Sequence, residues 1–282
     1  MARQAPRDRT RPRRPPRGRA AGPGPLYGDE VRRPLASLLF LSPALVFYAV
    51  GLVWVRPDLA ARADLLLRQA LAPLGVTGTL APTWLVVGVL MAWHLVRHDP
   101  WRVSARTLLW MAVETALLVV PLVLLAVAVR LAMHSGAALA AAPSGTTATG
   151  AVVGPVATAG TVLATRGTVG GDATWLAPIM VSIGAGIYEE LLFRLLMVGG
   201  TLGLARRLLG RESPGVAVAV VLVTAGVFAG AHTLDDPNRF AWDAFLFRSA
   251  AGTYLGFLFI QRGFGVAAGV HIGFDLLLKA MG

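Results

Sequence analysis

Three short motifs in the C-terminal half of the chain place carboxylates and imidazoles at helical spacing. They are Glu189-Glu190-x-x-x-Arg194, Phe228-x-x-x-His232 and His271-x-x-x-Asp275. Residues four apart share one face of a helix, so Glu190 can pair with Arg194, which leaves Glu189 turned about 100° aside. A free carboxylate close to an imidazole can act as a general acid or base. The motifs therefore predict acid–base chemistry centred on Glu189.

Each motif also has a plainer interpretation. Glu189, Glu190 and Arg194 can form a structural ion-pair cluster, and a lone His at a helix end is more often an interfacial residue than a catalytic one. The third motif can be a structural pair in which Asp275 orients His271 and stabilises its protonated form. Three such elements in successive parts of one bundle are harder to explain as coincidence than any one of them.

A metal site is an alternative use of the same side chains. Glu189, His232 and His271 offer three N/O ligands, which together with a water would make a catalytic zinc site. The chain contains no cysteine, which excludes a thiolate metal site, a disulfide and a cysteine nucleophile.

In their order and spacing, the three motifs resemble those of an intramembrane protease family, often called CPBP or ABI. This family contains the CAAX prenyl endopeptidases, bacteriocin-processing and self-immunity proteins, and bacterial enzymes that process C-terminal sorting signals. The similarity covers about residues 174–279. Two further side chains also fit the family pattern: Phe228, and Arg248 with Gly252 and Gly256 after it.

The resemblance implies a role for each motif residue. Glu189 and His232 would activate the attacking water, and His271, with Asp275 beside it, would stabilise the tetrahedral oxyanion. Glu190 and Arg194 would form a structural pair.

Asp275 departs from the commonest family pattern, in which the third motif ends in Asn. An Asn amide can donate a hydrogen bond to an oxyanion, whereas an ionised Asp cannot. We therefore expect one of three arrangements. Asp275 is protonated, or it acts by orienting His271, or other groups hold the oxyanion.

The resemblance implies a glutamate-type intramembrane endopeptidase. Its substrate would be a membrane-associated protein or peptide, cleaved near the C-terminus. We favour a mechanism without a cofactor, because the resemblance points that way and the sequence has no His-Glu-x-x-His zinc helix. A zinc-dependent version is the alternative, and a non-catalytic scaffold or immunity protein is another. A proton-coupled transporter is a third, although the sequence shows no internal repeat of broken helices.

The elements that must position these residues are membrane helices. The chain is 55% hydrophobic and 15% charged, with a mean hydropathy of +0.64, whereas soluble domains carry about 25% charged residues. A membrane-crossing helix needs about 20 mostly apolar residues. Seven segments qualify: 35–55, 80–96, 107–133, 174–200, 214–233, 244–260 and 263–279. The sequence thus predicts an all-α polytopic bundle of about seven spans, or eight if 135–165 also crosses.

Composition divides the chain into four regions. We expect a disordered Arg/Pro-rich cytoplasmic head at 1–34, N-terminal transmembrane helices at 35–133, an Ala/Gly/Thr-rich external loop at 134–173, and a catalytic bundle at 174–282.

Charge indicates the orientation. Of the 26 basic residues, 17 lie in the predicted inner segments 1–34, 97–106, 201–213 and 261–264, as the positive-inside rule requires. We expect an integral protein of the bacterial inner membrane with its N-terminus in the cytoplasm. The basic head would meet anionic lipid rather than nucleic acid, because no recognition fold follows it.

Overall fold

The computed structural model describes residues 27–55, 60–140, 176–210, 213–233 and 240–281. These residues form helices joined by turns, and no β-strand occurs among them. The predicted all-α architecture is confirmed for this part of the chain.

Ten α-helices follow one another in the described segments. They are α1 (Tyr27–Glu30), α2 (Pro34–Val50), α3 (Arg62–Leu71), α4 (Ala81–Arg97), α5 (Ala105–Ala140), α6 (Leu176–Glu190), α7 (Gly200–Leu209), α8 (Pro214–Thr233), α9 (Trp242–Arg262) and α10 (Phe264–Met281). A π-helical turn, Gly51–Val55, extends α2, and a 3-10 turn, Ala72–Leu74, follows α3. A nine-residue π-helix, Leu191–Gly199, joins α6 to α7 in one continuous rod.

Five helical stretches are long and apolar enough to cross a membrane. They are Pro34–Trp54, Ala105–Ala132, Leu176–Leu208, Pro214–Thr233 and Phe264–Met281. The other two predicted spans are also helical, as α4 and α9, but α4 has only 17 residues and α9 carries Asp243, Arg248 and Arg262. Most of the alternative eighth span at 135–165 lies outside the described residues.

Large apolar side chains cover the outer faces of α5 and α8. Leu117 and Val223, for example, are both 66% exposed. Hydrocarbon, unlike water, solvates such side chains without cost, so these two helices have the faces of lipid-contacting spans.

The end of the predicted disordered head is ordered. Glu30 is buried, and its carboxylate accepts hydrogen bonds from the Ser104 backbone amide at 2.6 Å and the Thr107 hydroxyl at 2.7 Å. A carboxylate at the start of a helix is stabilised by the helix dipole, so α1 is fixed against the beginning of α5. Residues 1–26, the rest of that head, lie outside the described residues.

The ends of α1, α5 and α9 meet at one end of the bundle. Arg32 donates to the Gln261 carbonyl at 2.6 Å, and Arg33 donates to the Arg102 carbonyl at 3.3 Å. We call this the basic end, because it collects these arginines: Arg32, Arg33, Arg97, Arg102, Arg106 and Arg262.

Small residues let α6 pack closely at the centre of the bundle. A Cβ at Gly186 would lie 2.4 Å from Ile272 Cγ1 on α10, and one at Gly184 would lie 2.6 Å from the Tyr48 ring on α2. Close backbone approach of this kind needs glycine at the contact. These two contacts therefore fix the positions of α10 and α2 along the axis of α6.

Candidate active site

Three helices bring Glu189, His232 and His271 together. Glu189, the last but one residue of α6, has a buried side chain, and its Oε2 lies 3.7 Å from His232 Nε2 on α8 and 3.8 Å from His271 Nε2 on α10. Both distances exceed the usual hydrogen-bond range. The three side chains that the motifs predict to act together therefore face one another across short gaps.

A main-chain contact orients His232. Its Nδ1 lies 2.8 Å from the Phe228 carbonyl oxygen, one turn earlier on α8. A carbonyl only accepts, so Nδ1 carries the hydrogen, and Nε2 faces Glu189.

Glu190 orients His271. The Nδ1 of His271 lies 2.8 Å from Glu190 Oε1 and donates to it, so Nε2 of this ring also faces Glu189. One of the three arrangements expected for Asp275 was that it orients His271, but no hydrogen bond joins these two side chains in the described residues. Asp275 is buried one turn further along α10, where it interacts electrostatically with His271 and Lys279.

The predicted pair of Glu190 and Arg194 is present and buried. Arg194 Nη1 lies 2.9 Å from Glu190 Oε1, and the two side chains are 2% and 0% exposed. Arg194 also donates to the Gly252 carbonyl at 3.4 Å. One oxygen of Glu190 thus contacts both the guanidinium and the His271 ring.

Phe228 packs against most of the polar side chains of the site. The Arg194 guanidinium lies 4.6 Å from its ring centroid, a cation–π distance. The ring of Phe228 meets those of Phe193, His232 and His271 edge to face, at centroid distances of 5.1, 4.7 and 6.3 Å. This apolar ring therefore restricts the movement of both imidazoles.

Arg248 brings a positive charge to the site from α9. It is half-buried, interacts electrostatically with Glu189 and Asp243, and makes no hydrogen bond within the described residues. One turn later, Gly252 packs against α8, where a Cβ would lie 3.2 Å from Ala225 and Phe228. This contact sets the distance of α9 from the site.

The N-terminal helices anchor the residue before Glu189. The Tyr188 hydroxyl lies 2.8 Å from the Thr83 hydroxyl on α4, and its ring packs edge to face on Tyr48 at 5.5 Å. The Tyr48 hydroxyl donates to Asp64 at 2.8 Å, and Arg68 binds the same carboxylate.

Sequence reasoning missed this support, which lies in α3, a helix that was not predicted. The Asp64 and Arg68 spacing of four was the available signal.

The described residues include no group of three or more His, Asp or Glu side chains that could hold a metal ion. The zinc alternative, with Glu189, His232 and His271 as ligands, stays a prediction.

Comparison with known proteins points to one family. Residues 171–277 match the family described as type II CAAX prenyl endopeptidase Rce1-like. Neither a curated protein nor a solved structure is significantly similar to the chain. The matched range includes the three motifs and Arg248, so the resemblance that the motifs predict is confirmed there. Over residues 171–277 the chain is thus similar to a family of CAAX-type proteases. This similarity and the five long apolar helices together support an integral membrane protein.

Proposed function

We propose that this protein is a glutamate-type intramembrane endopeptidase. The observation that carries the proposal is the position of Glu189, whose Oε2 lies 3.7 and 3.8 Å from the Nε2 atoms of His232 and His271. A pair of polar atoms at such a distance can be bridged by one water molecule. Oε2 is buried and has no direct hydrogen-bond partner, so it is available to take a proton.

The first step is attack by water on the peptide carbonyl. A water between Glu189 and His232 gives a proton to the Glu189 carboxylate as its oxygen bonds to the carbonyl carbon. His232 accepts the second hydrogen bond of that water through Nε2, because its Nδ1 is already bonded to Phe228. General base catalysis of this kind contributes about 10² to 10⁴ in rate.

The negative charge of the tetrahedral intermediate falls on the former carbonyl oxygen. His271 can donate to it from Nε2 when the ring is protonated, because Nδ1–H is bonded to Glu190. The carboxylates of Glu190 and Asp275 stabilise positive charge on this ring. A preorganised donor at this position contributes about 10² to 10³ in rate.

Collapse of the intermediate completes the hydrolysis. Protonated Glu189 transfers its proton to the leaving nitrogen, and the C–N bond breaks. The products are a free amine and a carboxylic acid that keeps the second proton of the water, which it then gives to the amine or to bulk water. The site then returns to its starting state without any other reactant.

The substrate we propose is a membrane-associated protein or peptide, cleaved near its C-terminus. The catalytic groups lie in helices long enough to cross a membrane. His232, the most exposed of the three side chains at 13%, lies in the last turn of α8. A flexible substrate segment would therefore reach the site from the end of the bundle opposite the basic end.

The experiment compares C-terminal peptides from membranes of cells that carry the native protein or Glu189→Gln. We expect a set of new C-termini that appear only with the native protein. Asp243→Asn, the same change at an exposed acid on α9, is the matched control and should leave that set intact. If the same C-termini persist with Glu189→Gln at equal protein levels, the proposal is wrong.

Metal independence is tested on the purified protein. We expect proteolysis to survive exhaustive treatment with a strong zinc chelator, because Glu189 and not a metal ion activates the water. Loss of activity on chelation, with recovery on adding zinc, would favour the zinc alternative.

A further inference from the structure

A groove of about 880 Å³ lies at the basic end, outside the catalytic site. It runs between α1 and the first three turns of α5. Its lining includes Tyr27, Glu30, Arg102, Arg106, Trp110 and Leu117.

The groove has a charged mouth and an apolar wall. Trp110, Val113 and Leu117 share one face of α5 and remain open, with Trp110 49% and Leu117 66% exposed. From Arg106 to Leu117 the helix rises by about 16 Å, which is close to the depth of one leaflet of a hydrocarbon core about 30 Å thick. With Arg106 at the level of the headgroups, a groove of this length would extend to about the bilayer centre.

Both acids that line the groove are already bound within the protein. Glu30 accepts from Ser104 and Thr107. Glu114 accepts from the Tyr27 hydroxyl and from Arg262, each at 2.5 Å. Burial, together with the Glu114 carboxylate, raises the pKa of Tyr27 above its usual value, so this hydroxyl stays protonated and remains a donor.

The two arginines at the mouth have no such partners. The side chains of Arg102 and Arg106 are exposed, and neither makes a hydrogen bond or ion pair within the described part of the chain. The charge that the mouth presents to a ligand is therefore positive.

We propose that this groove binds an anionic phospholipid. Arg102 and Arg106 hold the phosphate, and one acyl chain lies along Trp110, Val113 and Leu117. The indole is suited to this depth, because Trp is enriched where headgroups meet hydrocarbon. The chain enters the groove at Tyr27 after a segment in which eight of 26 residues are arginine. That segment would be repelled by the mouth, but it would be drawn to the same anionic leaflet.

The experiment measures lipid bound to the purified full chain by native mass spectrometry. Phosphatidylglycerol and phosphatidylcholine with identical acyl chains are offered separately. We expect the native protein to retain phosphatidylglycerol preferentially. The Arg102→Gln/Arg106→Gln double variant should bind it about 30-fold more weakly, since each basic residue at a membrane surface contributes about 1 kcal/mol. Arg206→Gln/Arg207→Gln, which removes two charges from α7, is the matched control and should bind as the native protein does.

A second variant tests the apolar wall. Val113→Trp fills the groove and should weaken phosphatidylglycerol binding while leaving both arginines in place. A third test uses the native protein and therefore does not depend on the folding of a variant. Raising the salt concentration should release phosphatidylglycerol from it. Equal binding of the two lipids, full binding by the double variant, or no effect of Val113→Trp would each overturn the proposal.

Discussion

Glu190 contacts two charged or chargeable partners through a single oxygen atom. Its Oε1 lies 2.9 Å from Arg194 Nη1 and 2.8 Å from His271 Nδ1. The sequence predicts the first contact, because a spacing of four within one helix defines it. The second contact joins α6 to α10 across 81 positions, and no local pattern encodes that pairing. The sequence therefore predicts residues that the fold brings close together, but it does not show which carboxylate orients His271.

The first residue-scale prediction concerns the two carboxylates near His271. Glu190→Gln should lower kcat by about 10 to 100-fold, the usual effect of losing a carboxylate that orients a functional His. Asp275→Asn should cost much less, because the orienting hydrogen bond comes from Glu190. Steady-state kinetics of both variants on one substrate give kcat and KM. An Asp275→Asn loss as deep as that of Glu190→Gln would contradict the assignment.

The second residue-scale prediction concerns the buried ion pair. Arg194→Met leaves Glu190 buried without its cation, and removing one partner of such a pair costs about 3 to 5 kcal/mol. Arg97→Met breaks a pair with Asp99 in which the arginine is exposed to 39%, and it should cost at most about 1 kcal/mol. Reversible unfolding in mixed micelles measures both free energies. Equal costs for the two variants would show that burial does not set the value of the Arg194 pair.

At the scale of elements, the long apolar helices follow from the sequence and the short ones do not. Hydropathy predicts α2, α4, α5, α6, α8, α9 and α10, because each has a run of apolar residues. It does not predict α7 (Gly200–Leu209), which lies in the predicted inner segment 201–213. Helix α3 is amphipathic and only 10 residues long, so no span-length run reveals it. The π-helix after Glu190 also has no compositional signal. Tertiary contacts hold both elements, through Tyr48 and Asp64 for α3 and through Phe259 against Gly199 for the π-helix.

The element-scale prediction uses two glycines of the same helical rod. Gly186→Ala places a Cβ 2.4 Å from Ile272 Cγ1 and 2.8 Å from its backbone nitrogen, so α10 must shift. Overpacking of this kind typically costs about 1 to 3 kcal/mol, and the shift should separate His271 from Glu189 and reduce activity. At Gly203 an added Cβ meets nothing within 4 Å, so Gly203→Ala should stabilise the helix by about 0.5 to 1 kcal/mol.

Unfolding and activity measured together on the two Ala variants test this account. Full activity in Gly186→Ala would show that the spacing of α6 and α10 is not critical for the site.

At the scale of the whole molecule, segments far apart in the sequence meet at one end of the bundle. The beginning of α5 and the end of α9 lie together at the basic end, through Arg33 on Arg102 and Arg32 on Gln261. The basic residues of this end agree with the charge bias that predicts a cytoplasmic N-terminus. The packing of particular helices against one another, however, depends on contacts that glycines make with distant segments. Hydrophobic periodicity within one segment does not predict these contacts.

The whole-molecule prediction is the orientation. Because the chain has no cysteine, a single introduced thiol reports one position without further changes. Ser144→Cys, in the predicted external loop, should react with a membrane-impermeant maleimide in intact cells. Ser213→Cys, between α7 and α8, should react only after the membrane is opened. The reverse pattern would contradict the orientation, and an unreactive Ser144→Cys with an accessible Ser213→Cys would favour an additional span.

The most direct test of the central claim is the cleavage rate of purified native protein and Glu189→Gln in proteoliposomes, with one substrate and a zinc chelator present. The native protein should cleave the substrate under these conditions. Glu189→Gln, equally stable to unfolding, should lose about the 10² to 10⁴ in rate that a general base supplies. Cleavage by Glu189→Gln at a rate close to that of the native protein would contradict the assignment of Glu189 as the general base.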